Sequence, residues 1–241
     1  NEILSANRNS LQLFDMLHSM RQFDDLTYVH SVNVALIASI LGQWLKFSEK
    51  DIRILTISGL LHDIGKIMIP NEILTKPGKL TVAEYNIMKQ HVNFGYEKVK
   101  NQNIDIRIKE ACLLHHEKCD GTGYPFGLKS DHIPAVAKII AIADVYDAMT
   151  SARVYRGALC PFEVIDTMYK DAFTKFEPEY ILPFLKNVAS SYINNDVRLS
   201  DGRIGKVVLI NENALSLPIV QCEDEFIDLS KTRGLTVSAI L

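Results

Sequence analysis

Ser48-Glu49-Lys50-Asp51-Ile52-Arg53-Ile54-Leu55-Thr56-Ile57-Ser58-Gly59-Leu60-Leu61-His62-Asp63-Ile64-Gly65-Lys66 is the stretch that decides the fold. Ser48 with Asp51 resembles a capping box, so a helix opens there and runs through the apolar residues Ile52 to Leu61. It ends in a His-Asp pair, with a lysine four residues after the histidine. An ionisable group at the edge of an apolar helix must be paired or metal-bound, because a lone buried charge is costly.

The same pattern recurs on both sides. Five of the seven histidines join two Asp-bearing motifs in one ordered set: His30, His62-Asp63, His91, His115-His116 and Ala143-Asp144. Each falls within or at the edge of an apolar helical stretch. Separate core hydrogen bonds would account for one such histidine. A His-Asp pair, a His-His pair and a nearby lysine together favour a metal cluster. Seven ligand-type groups are too many for one ion and suit two that share a bridge. Adjacent helical residues point about 100° apart, so His115 and His116 reach one site only near a helix end. Gly121 and Gly123 soon after agree with a helix ending there. His18 and His132 match no ligand position and read as surface or loop histidines.

Further helices are expected over Ile3 to Met20 and over Asp25 to Lys46, the latter with Val29, Val32, Leu36, Ile40 and Leu41 on one broad face. Thr81 with Glu84 opens a helix that should run to about Val99. Pro134, Pro161 and Pro178 suit the first turns of three more. After Asp196 the pattern changes. Asp201-Gly202 signals a turn, and Lys206 to Ile210, Leu217 to Gln221 and Leu235 to Ile240 read as short strands. The fold class is therefore mainly α, with a helical domain over 1–195 and a small β-rich appendage over 196–241 that carries no candidate ligand.

Composition sets bounds. The 241 residues are 47% apolar, enough for a sizeable core, and 26 basic against 29 acidic side chains leave a net charge of −3. That balance does not suit a groove for a nucleic-acid polymer, which wants a basic excess. Cys112, Cys119, Cys160 and Cys222 form no C-x-x-C pair and no dense framework, which points to a reducing cytoplasm. No run of 18 apolar residues and no secretory signal is visible, so no membrane span is expected. The chain starts at Asn1 and reads as a piece of a longer protein, with room for an upstream sensor.

The chain from about Asp25 to about Tyr180 resembles the HD-GYP branch of the HD phosphohydrolases. The resemblance rests on His62-Asp63-Ile64-Gly65-Lys66, on His115-His116-Glu117-Lys118-Cys119-Asp120-Gly121-Thr122-Gly123-Tyr124-Pro125-Phe126-Gly127-Leu128, and on Ala143-Asp144 through Arg156. A His-Asp dipeptide alone is common; the long HHE…DG.GYP..GL run is very specific. The resemblance implies an HD-domain helical bundle and a metal-dependent hydrolase of cyclic di-GMP, or of a related cyclic dinucleotide, yielding the linear dinucleotide (pGpG from cyclic di-GMP), with further cleavage to GMP left open. A phosphodiester is anionic and repels hydroxide; two metal ions about 3.5–4 Å apart activate a bridging water and offset the phosphoryl charge. By resemblance, His30, His62, Asp63 and Asp144 hold one ion, and Asp63, His91, His115 and His116 the other, with Asp63 as the bridge. Imidazole and carboxylate without thiolate suit iron, manganese or zinc, and the resemblance favours the first two.

Lys66, one turn after His62, is expected to hold a phosphate oxygen and stabilise developing charge, the alternative being a lysine that merely suits a helix end. Arg153 and Arg156, three apart, would form a fork for phosphates, although Val154 stands where the family usually has proline. Tyr124 joins them as a substrate contact. Gly121, Gly123, Tyr124 and Pro125 form a tight loop that the family links to substrate access and to signalling proteins, with Glu117 and Asp120 to orient it. Some members hold a third ion through a Glu one turn before the first histidine; here that position is Leu26, so two ions are expected. A non-catalytic cyclic-dinucleotide receptor is the alternative, and retention of all seven ligand positions favours the enzyme. A hydrolase of other nucleotides fits less well, because of the Gly-Tyr-Pro run. A homodimer stays open.

Overall fold

A computed structural model describes residues 16–22, 24–151 and 159–241. By packing, the chain divides into two compact units, Asn1–Asp147 and Ala148–Leu241. The boundary expected at 195 falls inside the second, because there the sheet and the last two helices pack together.

The first unit is helical. Helix α1 spans Asp25–Trp44, and Asp24 caps it by accepting from the backbone N–H of Leu26 and Thr27. Helix α2, Glu49–Leu61, opens on Ser48, whose hydroxyl accepts from Asp51 N–H. The two helices pack on each other through Val34, Ala35 and Ala38 of α1 and Leu55, Ser58 and Gly59 of α2, all buried. Fully burying a side chain such as Leu55 contributes about 1.5–3 kcal/mol. The broad face expected on α1 is not the buried one. Val29, Leu36 and Ile40 are exposed, while Thr27, Ser31, Val34, Ala35, Ala38 and Leu41 face the core. With apolar side chains nearly all round the helix, periodicity cannot pick the inner face, and the small residues that permit close approach to α2 do. By length and composition α1 is also apolar enough to cross a membrane. In this unit its inner face packs on α2, while Leu26, Val29, Leu36 and Ile40 stay exposed.

A 3-10 turn, Ile64–Met68, follows His62 and Asp63, and short helices α3 (Asn71–Leu74) and α4 (Val82–Met88) come next. Thr81 and Glu84 form the expected reciprocal capping box at α4. The helix expected to continue to Val99 instead breaks at Lys89-Gln90, and α5, His91–Val99, starts afresh. The break makes His91 the first residue of a new helix. Helix α6, Ile106–Leu114, stops just before His115, as the geometry of two adjacent ligands required. Helix α7, Ala135–Thr150, follows Pro134 and buries Ile139, Ile140 and Ile142.

In the second unit, Pro161 and Pro178 stand in the first turns of α8 (Pro161–Asp171) and α9 (Pro178–Ser190). Proline is tolerated there because its missing N–H would be unpaired anyway. Five antiparallel strands follow in the order β4-β3-β2-β1-β5. They are β1 Asp196–Leu199, β2 Ile204–Leu209, β3 Ile219–Cys222, β4 Glu225–Asp228 and β5 Val237–Ile240. Val197, Leu199, Val207 and Val220 are buried at the period-two spacing of a one-sided sheet. Strand β5 packs on α8, and Lys186 of α9 pairs with Glu212 at 2.6 Å.

Candidate metal centre

Asp63 sits at the centre of the site. It leaves the end of α2, is almost fully buried, and faces four histidines from four different elements. His62 Nε2 lies 3.2 Å and His30 Nε2 3.6 Å from its Oδ2, and His91 Nε2 lies 3.3 Å from its Oδ1. His115 Nε2 is 4.0 Å from Oδ1. Asp144, on α7, stands 3.0 Å from His30 Nε2 and 3.8 Å from His116 Nδ1. All seven expected residues thus come together. Their ligand atoms fall into overlapping groups: His30 with His62 and Asp144; His62 with Asp63 and His115; His91 with His115 and His116.

The local chain explains the convergence. His62, His91 and His115 each donate Nδ1–H to a backbone carbonyl of the preceding turn, of Gly59, Met88 and Ala111, at 2.7, 2.8 and 2.9 Å. Each bond fixes the tautomer and turns Nε2 inward. Gly65 lets the turn after Asp63 lie against α5. A Cβ there would come within 1.9 Å of the His91 carbonyl oxygen and 2.4 Å of Gly95 N. The glycine of the His-Asp-Ile-Gly-Lys motif therefore brings His91 beside Asp63.

Charge is distributed to suit cation binding. Burial pushes the His115 imidazole well below its usual range, and burial also lowers His91 and brings His116 down to about 3. These rings are neutral and keep a lone pair. Burial works against ionisation of Asp63 and Asp144. Lys66, His62 and His91 outweigh it at Asp63, and the His30 hydrogen bond with His116 outweighs it at Asp144, so both carboxylates are held far below their usual values. At His30 burial, which lowers its pKa, is outweighed by its bonds to Asp144 and Asp147, which lift it to about 9.

The donor set fits divalent cations. His62 Nε2 and Asp63 Oδ1 are buried polar atoms with no hydrogen-bond partner. Such atoms are rare in folded proteins unless something satisfies them, and a cation between an imidazole lone pair and a carboxylate oxygen does so. Nitrogen and oxygen donors without thiolate suit first-row metals. Cys112 is close by in the core, but its Sγ bonds Leu61 O at 3.3 Å and burial raises its pKa to about 12.

Lys66 Nζ donates to Asp63 Oδ2 at 2.5 Å and keeps part of its surface exposed. Tyr124 lies across His116, with ring centroids 4.7 Å apart and planes inclined by 30°. The loop carrying it is held by Glu117, which is 4% exposed and accepts from the backbone N–H of Phe126, Gly127 and Leu128 at 2.7, 3.1 and 2.9 Å. Gly123 passes so close to the chain that a Cβ would meet Lys118 N at 2.4 Å. Gly121 and Pro125 belong to the same turn, and Asp120 closes it by accepting from Thr122 N–H at 2.9 Å. Arg153 and Arg156 lie outside the described residues. His18 and His132 are exposed and away from the cluster, as expected. One residue was missed: Asp147, one turn after Asp144, which bonds His30 Nδ1 at 2.6 Å and Asn33 Nδ2 at 2.9 Å. Its i+3 spacing from Asp144 was the available signal.

The fold and its donor set are those of a helical metal-binding domain. A model of the HD domain family matches residues 10–180. The cyclic di-GMP phosphodiesterase PA4108 of Pseudomonas aeruginosa is 36% identical over 203 residues, 84% of this chain and 49% of that protein. The 3'3'-cGAMP-specific phosphodiesterase 2 of Vibrio cholerae is 36% identical over 158 residues, 64% of this chain and 30% of that protein. The HD domain of the L. monocytogenes phosphodiesterase PgpH, solved in complex with cyclic-di-AMP, superposes with a TM-score of 0.56 at 18% identity, covering 73% of this chain and 95% of that one. The chain belongs to the HD domain family, in its HD-GYP branch. It spans about half the length of the first of these relatives.

Proposed function

We propose that this chain is a metal-dependent phosphodiesterase that hydrolyses cyclic di-GMP, or a related cyclic dinucleotide, to the linear dinucleotide, which for cyclic di-GMP is pGpG. One observation carries the reading: His62 Nε2 and Asp63 Oδ1 lie buried and unpartnered among five further imidazole and carboxylate ligands. His30, His62, Asp63 and Asp144 would hold one divalent ion, and Asp63, His91, His115 and His116 a second, with iron or manganese favoured. Such ions supply a Lewis acid for phosphoryl oxygens and lower the pKa of water. Two relatives named for cyclic di-GMP and for 3'3'-cGAMP support a cyclic dinucleotide as substrate.

The protein's own groups have distinct tasks in this reading. Lys66, the ammonium nearest the bridging carboxylate, stabilises charge that develops on the phosphoryl oxygen. Tyr124 shields His116 and presents an aromatic edge to the substrate. Glu117 holds the loop in register, so Tyr124 is positioned before substrate arrives. Arg153 and Arg156 remain proposed phosphate contacts.

The test is product chromatography after cyclic di-GMP is added to the metal-loaded protein under reducing conditions, beside Asp63→Asn. Linear dinucleotide from the first and none from the second is expected, with loss of at least one ion from the variant. Tight binding without any product would replace the hydrolase with a receptor.

A further inference from the structure

Lys89 is not among the groups described above, yet it stands next to them. It occupies the break between α4 and α5, two residues before His91, and its backbone is tied down by the bond from its N–H to Tyr85 O at 2.9 Å. Its ammonium lies over two aromatic rings, 5.2 Å from the centroid of Tyr85 and 5.9 Å from that of Tyr124. Tyr124 in turn lies on His116. A continuous ledge therefore leads from the metal ligands outward, through Tyr124 to Lys89 and then to half-exposed Tyr85.

The charges on this ledge are unequal. Lys66 is spent on Asp63, and Lys76 on Glu84 at 2.7 Å. Among the described residues Lys89 has no carboxylate partner; only ring faces position its ammonium. Cation–π contact holds an ammonium in place and leaves its N–H donors available. A cyclic dinucleotide carries two phosphodiesters on one ring, and cleavage engages only one of them. The other remains an anion flanked by bases, and it needs a partner away from the metals.

We propose that Lys89, braced by Tyr85 and Tyr124, is a positioning residue that binds the phosphodiester not undergoing cleavage, with Tyr85 offering a face to the adjoining base. The inference rests on the cyclic-dinucleotide reading given above. It makes Lys89 a determinant of substrate class: it favours diesters with a second phosphate over those with one.

The experiment compares wild type, Lys89→Ala and Lys89→Arg, all metal-loaded and with metal content checked. Cyclic di-GMP binding is measured by calorimetry. Turnover is measured on cyclic di-GMP and on the single-phosphate ester bis(p-nitrophenyl) phosphate. Lys89→Ala should weaken cyclic di-GMP binding by about ten-fold or more, the contribution of one charge-assisted contact. The loss should appear in KM rather than kcat, be much smaller on the single-phosphate ester, and be largely restored by Lys89→Arg. Equal losses on both substrates, or unchanged cyclic di-GMP affinity, would overturn the proposal. Binding that depends on Lys89 without turnover in the wild type would overturn the hydrolase reading and uphold this one. Absence of cyclic di-GMP binding by the wild type would overturn both.

Discussion

Asp147 accepts a hydrogen bond from His30 Nδ1 at 2.6 Å across 117 positions of sequence, while its other oxygen accepts from Asn33 at 2.9 Å. The carboxylate is thereby committed to aiming His30, whose Nε2 faces Asp144. Removing such a support typically costs metal affinity about 10–100-fold. Asp147→Ala is therefore expected to retain the fold and to weaken metal binding in that range, read by competition with a chelator. Unchanged affinity would limit Asp147 to helix packing.

Lys66 is close enough to Asp63 to serve either as its counter-ion or as a donor to substrate. Lys66→Ala should keep both ions and lower kcat by about 10²–10³, the loss seen when an oxyanion donor is removed. Metal analysis alongside steady-state kinetics separates the roles. Loss of metal with proportionate loss of rate would mean that Lys66 acts only on Asp63.

Two ions rather than three are expected. Leu26, one turn before His30, has no lone pair and is 64% exposed. Asp24 is occupied as the N-cap of α1, and Asp25, on the helix proper, is exposed and 3.9 Å from Arg21. No carboxylate is therefore aimed at the cluster from this turn. Anomalous diffraction at the metal edges of loaded crystals should give two strong peaks. A third beside Leu26 would contradict the expectation.

Glu84 provides a pH test away from the metals. Its carboxylate bonds Lys76 and then Thr81, which lowers its pKa from 4.5 to about 2. A depressed carboxylate pKa stabilises the folded state above the unfolded value, and that contribution is lost as pH falls through the folded one. Amide exchange in the first turn of α4 should therefore be faster in Glu84→Gln than in wild type at pH 6, once corrected for intrinsic rates. The gap should begin to narrow below about 4.5 and close near 2. A gap that is constant over this window would assign the effect to side-chain shape.

Some of this molecule is written locally. The capped, apolar run that ends in His62-Asp63 needs nothing distant to become a helix, and Pro161 and Pro178 mark helix starts by their own chemistry. The five histidines and two aspartates could be picked out because a ligand's residue type is visible wherever the fold puts it. The break at Lys89-Gln90 was not visible: the residues on both sides favour helix, and it is packing of α5 against the turn at Gly65 that sets the new axis. The strands Asp196–Leu199 and Glu225–Asp228 were also missed: each opens on an acid and carries few apolar residues, and its pairing partners are supplied only by the sheet.

By itself, then, the sequence determined the mainly helical class, the ligand types and the loop motif, since these depend on side-chain chemistry and on contacts a few residues apart. The tertiary structure decided which face of α1 is inside, how far each ligand lies from Asp63, that Asp147 aims His30, and that Tyr124 comes within reach of Lys89. Those relations join residues tens to more than a hundred positions apart or depend on the break before His91. No local preference encodes them; they arise when burial of the core brings separate helix ends together around polar atoms that must be satisfied.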